Sequence, residues 1–196
     1  MEQKMVKELL LQSLEHEMGG TKVYETALKC VVNEDLKEEW ERYLEETEKH
    51  VQVLHDLCLQ MNLDPEEQTP GRKITHDMGA SLVAAMEAAL GSGEKEMAEC
   101  VAAECVVHAE TTDHFNWQLI GEVAEKMEGA DAKAMKEAYQ EVEDEEDEHL
   151  YHSKGWLREL SLQGLGLKAV LPPPEEKQQV KSAMGQAKAE QSRRSR

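Results

Sequence analysis

Aromatic side chains are scarce in this chain of 196 residues: one Phe, four Tyr and three Trp. No stretch alternates apolar and polar residues for long, so β-strands are not expected. Long apolar runs are missing too. No segment nears the ~20 apolar residues that a membrane helix needs, and the opening "MEQKMVKELL" has neither the apolar run nor the small-residue cleavage site of a secretion signal. The four cysteines, Cys30, Cys58, Cys100 and Cys105, form no C-x-x-C pair. Cys100 and Cys105 point apart on one helix, which reads as reduced thiols in a cytoplasmic protein. Positive charge is also in short supply, with 22 basic against 41 acidic residues and a net charge of −19. An acidic surface is repelled by nucleic acid and by anionic membranes, so neither is expected as a partner. The same excess leaves many carboxylates to serve a cation.

What the sequence does carry is a 3.6-residue period in four long segments. The first spans about residues 2 to 32, with Val6, Leu10, Leu14, Tyr24, Leu28 and Val31 on one stripe. Asn33 is a natural N-cap for the second, roughly 34 to 61, whose stripe holds Leu36, Trp40, Tyr43, Leu44, Val51, Leu54 and Cys58. "NLDPEEQTPGR" reads as a loop on its Pro and Gly content, followed by a shorter helix, "ASLVAAMEAAL", that ends at Gly91-Ser92-Gly93. The third long segment covers about 94 to 127 and the fourth about 131 to 160. The turns within each pair are short and the link between pairs is about 30 residues. Two antiparallel hairpins joined by one long crossover predict an all-α fold with the connectivity of a ferritin-like four-helix bundle. The domain is expected to run from 1 to 171, and "PPP" followed by polar residues to predict a flexible tail over 172–196.

Each of the four helices also aims an ionisable group inward near its middle. At about 100° per residue, Glu17 falls within about 20° of Tyr24, and Glu110 within about 20° of Trp117. Glu146 and His149 form E-x-x-H inside the stripe of Tyr139, Val142, Leu150 and Leu157, while His50 flanks the second stripe with Glu46 one turn before it. Asp113, at i+3 from Glu110, can add an oxygen. Burying such groups costs several kcal/mol each unless they are compensated, and the stripes hold almost no Lys or Arg. A cation compensates them, and carboxylate with imidazole suits iron or manganese. The expected ligands are therefore drawn from Glu17, Glu46, His50, Glu110, Asp113, Glu146 and His149. His55, His76, His108 and His152 are expected at the surface.

The order "LEHEMGGTKVYETAL", "YLEETEKHVQVL", "HAETTDHFNWQLIGE", "EDEEDEHLYHSKGW" resembles the ferritin-like (rubrerythrin-like) superfamily over about residues 5 to 160. The "EET-x-x-H" of the second helix looks nearest to the bacterial stress-associated ferritin-like proteins, whose second helix reads E-E-T-x-x-Q. The resemblance implies two bound irons, held by Glu17, His50, Glu110, Glu146 and His149. It departs from the family at Thr47, which stands where the second helix has its glutamate, and this puts oxidase chemistry in doubt. It also implies a homodimer and a stress role. The resulting expectation is a protein with two iron (Fe2+/Fe3+) or manganese ions that reduces oxygen or peroxide. The alternatives are a non-catalytic helical scaffold with structural metal or none, and a di-metal enzyme acting on an organic substrate.

Overall fold

Local chemistry sets the starts of several of the helices. The computed structural model describes residues 3–194. The expected helix start at residue 2 and the last two residues of the expected tail lie outside them. Helix α1 (Gln3–Cys30) turns through three residues into α2 (Glu34–Gln60). Asn33 caps α2 as expected: its side chain accepts from the Leu36 amide at 3.1 Å. Glu34 and Asp35 follow in the first turn, where the helix dipole favours negative charge. The turn is tied to a distant helix by Glu99, whose carboxylate accepts from the Val32 and Asn33 amides at 2.8 and 2.6 Å. Helices α4 (Lys95–Lys126) and α5 (Ala130–Gly164) are joined through Gly129, whose φ of +92° suits glycine.

The crossover differs from expectation. Helix α3 runs over Pro70–Gly91, 22 residues, and takes in "PGR", which composition assigned to a loop. The reason is a local start signal. Thr69 caps the helix by accepting from the Arg72 amide at 3.1 Å, and Pro70 sits at the first turn, where its missing N–H costs nothing. Arg72 then pins the segment to α1: its Nε donates to Glu15 at 2.7 Å, and its Nη1 donates to the Pro65 carbonyl.

α1 packs on α2 and α4, and α5 packs on the same two helices, while α3 lies against α1 and α4. The interior is not one continuous apolar core. One cluster gathers Tyr24, Leu36, Trp40, Met86, Ala102 and Trp156; another gathers Leu10, Leu14, Leu54, Trp117, Met135 and Val142. The middle turns of all four long helices lie between these clusters, and there the buried side chains are charged.

The segment expected to be a loose tail is folded. α6 (Pro174–Lys177) and α7 (Ala183–Arg194) lie back along α5. Arg158 makes a two-pronged contact with Glu175 at 2.7 and 2.8 Å, Arg193 donates to Glu159 at 2.5 Å, and Val180 and Ala189 pack on Leu150 and Tyr151. Gly155 leaves room for this, since a Cβ there would stand 2.7 Å from Glu175 Oε2. Composition misleads here because paired carboxylates and guanidinium groups, with only a small apolar contact at Val180 and Ala189, anchor the segment. Among the described residues no helix is long and apolar enough to cross a membrane, and the four cysteines are free.

Candidate metal centre

Six of the seven residues expected as ligands are buried between the two apolar clusters: Glu17, His50, Glu110, Asp113, Glu146 and His149, none more than 4 % exposed. They converge. Glu17, His50 and Glu146 each offer a ligand atom within 4.8 Å of the others, and so do Glu110, Glu146 and His149. Glu146 belongs to both groups. Its Oε1 lies 2.9 Å from Nδ1 of His50 and 3.7 Å from Nδ1 of His149. The Nδ1 of His50 is 3.6 Å from Glu17, and that of His149 is 3.6 Å from Glu110.

The outer atoms of these residues are held and the inner ones are not. The Trp117 indole donates to Glu17 Oε1 at 2.7 Å, and the Tyr24 hydroxyl donates to Glu110 Oε1 at 2.7 Å. Each imidazole is fixed through Nε2: His50 by Glu145 at 2.8 Å, and His149 by Glu46 at 2.8 Å. The remaining atoms make no well-aligned hydrogen bond among the described residues, even where His50 Nδ1 and Glu146 Oε1 approach to 2.9 Å: Glu17 Oε2, Glu110 Oε2, Asp113 Oδ1, both oxygens of Glu146, and Nδ1 of both histidines. Buried polar groups are seldom left this way. Seven unpartnered atoms in one place, all oxygen or imidazole nitrogen, fit a cation that accepts their lone pairs.

Electrostatics agree. Burial, the largest influence, together with the Glu146 and Glu110 charges, pushes the Glu17 carboxyl up to about 8 despite His50 and Trp117. Burial and the surrounding Glu17, Glu146 and Glu110 likewise raise Asp113 well above the usual carboxylate range. Burial opposes charge on the imidazoles, but Glu17, Glu145 and Glu146 outweigh it at His50 and lift it to about 10. Glu110, Glu46 and Glu146 also outweigh burial at His149 and hold it well above its ordinary value. Glu110 goes the other way: burial would raise it, but His149 and the Tyr24 hydroxyl hold it below its ordinary value. Without a cation, then, protons on the histidines and on Glu17 and Asp113 balance the cluster. A cation would replace those protons.

Two residues differ from the expected roles. Glu46 is not in either converging group; its carboxylate is engaged with the outer nitrogen of His149 and the Arg42 guanidinium. Asp113 is buried at the cluster yet outside both groups. Thr47 is buried on α2, so that helix presents a methyl and a hydroxyl where α5 presents Glu146.

A second buried polar network was not foreseen. Glu39 accepts from the Tyr43 hydroxyl and the Trp156 indole, and lies 3.0 Å from His152 Nδ1. His152, expected at the surface, is therefore interior. The signal available was Glu39 at i−4 from Tyr43, inside the second stripe. The Tyr43 ring sits 4.1 Å from that of His149, centroid to centroid, so this network braces one wall of the centre.

The fold and site together define an all-helical protein with buried carboxylate and imidazole groups able to hold a metal ion. No protein-family model, curated protein or solved structure matches the chain.

Proposed function

We propose that the protein is a ferritin-like metal protein whose centre takes two first-row ions, iron or manganese, and that it reduces oxygen or peroxide. The observation that carries this reading is the convergence of Glu17, His50, Glu110, Glu146 and His149, each with an unpartnered buried donor atom, in two ligand groups that share Glu146. In this reading Glu17 and His50 would hold one ion and Glu110 and His149 the other, with Glu146 available to both groups. When bound as Fe(II), two such ions would supply the two electrons that, with two protons, reduce one peroxide to two waters.

The chain's own residues do the rest. Glu145 and Glu46 orient the imidazoles so that Nδ1 faces inward, and an imidazole held in this way is a better ligand. Trp117 and Tyr24 each occupy one oxygen of a ligand carboxylate and leave the other free. The two apolar clusters exclude water and strengthen every charge interaction between them. Thr47 removes the second bridging carboxylate and makes the centre unequal on its two faces. A homodimer and a role in stress fit the resemblance to stress-associated ferritin-like proteins.

The test is elemental analysis of the wild type beside Glu146→Ala after anaerobic loading with Fe(II), followed by exposure to air. The expected result is about two ions per chain in the wild type, close to none in the variant, and an ultraviolet band from the oxidised pair in the wild type alone. A wild type that binds no metal, and whose melting temperature ignores a chelator, would mean a metal-free helical scaffold.

A further inference from the structure

A cavity of about 400 Å³ lies between α1, α3 and α4, and none of the ligand residues lines it. Gly19, Gly20 and Val23 of α1, Leu82 of α3 and Ala109 of α4 form its apolar wall. Ile74 and Met78 also line it, each 61 % exposed, so the apolar lining continues to the protein surface. Glycine makes the room. Gly19 and Gly79 face each other so closely that a Cβ at 79 would sit 3.7 Å from the Gly19 Cα.

Apart from Glu15 and the imidazoles of His16 and His108, the polar groups of the lining are uncharged amides and hydroxyls. His16 donates through Nε2 to the Ala109 carbonyl at 3.0 Å, which leaves Nδ1 as the ring's second hydrogen-bonding atom. Asn116 adds an amide. The one acidic residue of the lining, Glu15, is already engaged by Arg72 at 2.7 Å and by His76 at 2.8 Å, and no Lys or Arg lines the cavity. A charged ligand would therefore lose its water with no Lys, Arg or free carboxylate of the lining to pair with it.

The cavity backs onto the carboxylate cluster. His16 precedes Glu17, Ala109 precedes Glu110, and a Cβ on Gly20 would stand 3.3 Å from the Thr47 methyl. The volume falls in the range of small-molecule sites, roughly 300 to 1,000 Å³.

We propose that this cavity is a binding site for a small neutral organic molecule, apolar over most of its surface and carrying one hydrogen-bonding group that meets His16 or Asn116. The proposal goes beyond the metal reading and rests on the cavity alone.

The probes are 2-naphthol, the anion 2-naphthoate and the cation 2-naphthylmethylammonium, titrated by calorimetry into the full chain. Ligand-efficiency bounds for a probe of this size give 2-naphthol a Kd on the order of 100 µM. Both charged probes are expected to bind at least about tenfold more weakly, because their charge is desolvated unpaired. Leu82→Trp and Gly79→Leu fill the cavity from α3 and are each expected to weaken 2-naphthol about tenfold or more with helical content unchanged; either alone suffices if the other misfolds. Binding of 2-naphthol is expected to be the same before and after treatment of the wild type with a chelator, which separates this site from the metal centre. The proposal is overturned if 2-naphthol shows no saturable binding below 1 mM (about tenfold above the expected Kd), if either charged probe binds as tightly, or if a folded filling variant binds unchanged.

Discussion

Glu46 and His149 meet across the seam between α2 and α5, oxygen to Nε2 at 2.8 Å, and Glu145 repeats the contact on His50 from the other side at 2.8 Å. The motifs E46-T47-x-x-H50 and E145-E146-x-x-H149 thus exchange their first glutamates, each supporting the other helix's histidine. The centre is a paired design in which only the second position of the motif, Thr47 against Glu146, breaks the pairing.

Removing one of these supports should loosen the ring it holds. Glu46→Ala is expected to weaken Mn2+ or Fe2+ binding by about ten- to a hundredfold, the usual cost of losing a group that orients a ligand. Glu46→Gln should recover part of the loss, since its carbonyl still accepts from Nε2. Anaerobic calorimetry measures both, and an unchanged affinity in Glu46→Ala would refute the orienting role.

The shared position of Glu146 makes its loss unlike that of Glu17. Glu146→Ala removes a ligand from both groups and is expected to abolish stable binding. Glu17→Ala disturbs only the group with His50, so about one ion per chain should survive gel filtration. Metal analysis of the two variants side by side reads the difference. Equal stoichiometry in both would show that Glu146 does not bridge.

Metal binding must displace protons from His50, lifted to about 10, and from Glu17, lifted to about 8. Affinity should therefore climb with pH between 6 and 8, by up to about one decade per pH unit for each proton released. Titration in two buffers of different ionisation enthalpy counts those protons. A flat affinity over that range would mean that these groups are not the ligands.

Away from the centre, burial and the neighbouring Glu39 push the Glu176 carboxyl up to about 8 from an ordinary 4.5. The folded chain then binds this proton across the whole interval between those values, so stability falls as pH rises from about 4.5 to about 8. Glu176→Gln offers Glu39 an amide donor that does not titrate, and should flatten that decline. Thermal melts of both proteins at pH 5, 6, 7 and 8 test this, with the wild-type melting temperature expected to drop more steeply.

Much of the fold was legible because four helices carry long apolar stripes on either side of their inward charged groups. The ends of α1, α2 and α4 lie within about two residues of where the periodicity and Asn33 place them, which is the ordinary uncertainty of helix ends. The start of α3 was misread because Pro and Gly were weighed as breakers, although Thr69-Pro70 is also a helix start. The folded C-terminal segment was missed because Arg158–Glu175 and Arg193–Glu159 are contacts between charges far apart in sequence, and charge composition alone reads as solvation. His152 was misplaced for a related reason. Its phase on α5 leaves it beside the stripe, and only the approach of Glu39 from α2 makes that side an interior.

By itself the sequence determined the four long helices, their order and the presence of Glu17, Glu110, Glu146, His50 and His149 on faces turned inward, because helical phase is a local property of 3.6 residues per turn. The tertiary structure decided which of these atoms meet. It paired Trp117 with Glu17 and Tyr24 with Glu110 across helices, assigned Glu46 to His149 rather than to the cluster, and opened a cavity behind His16. Those outcomes depend on the approach and register of whole helices, which are set by the packing of both apolar clusters together and cannot be read from any one segment.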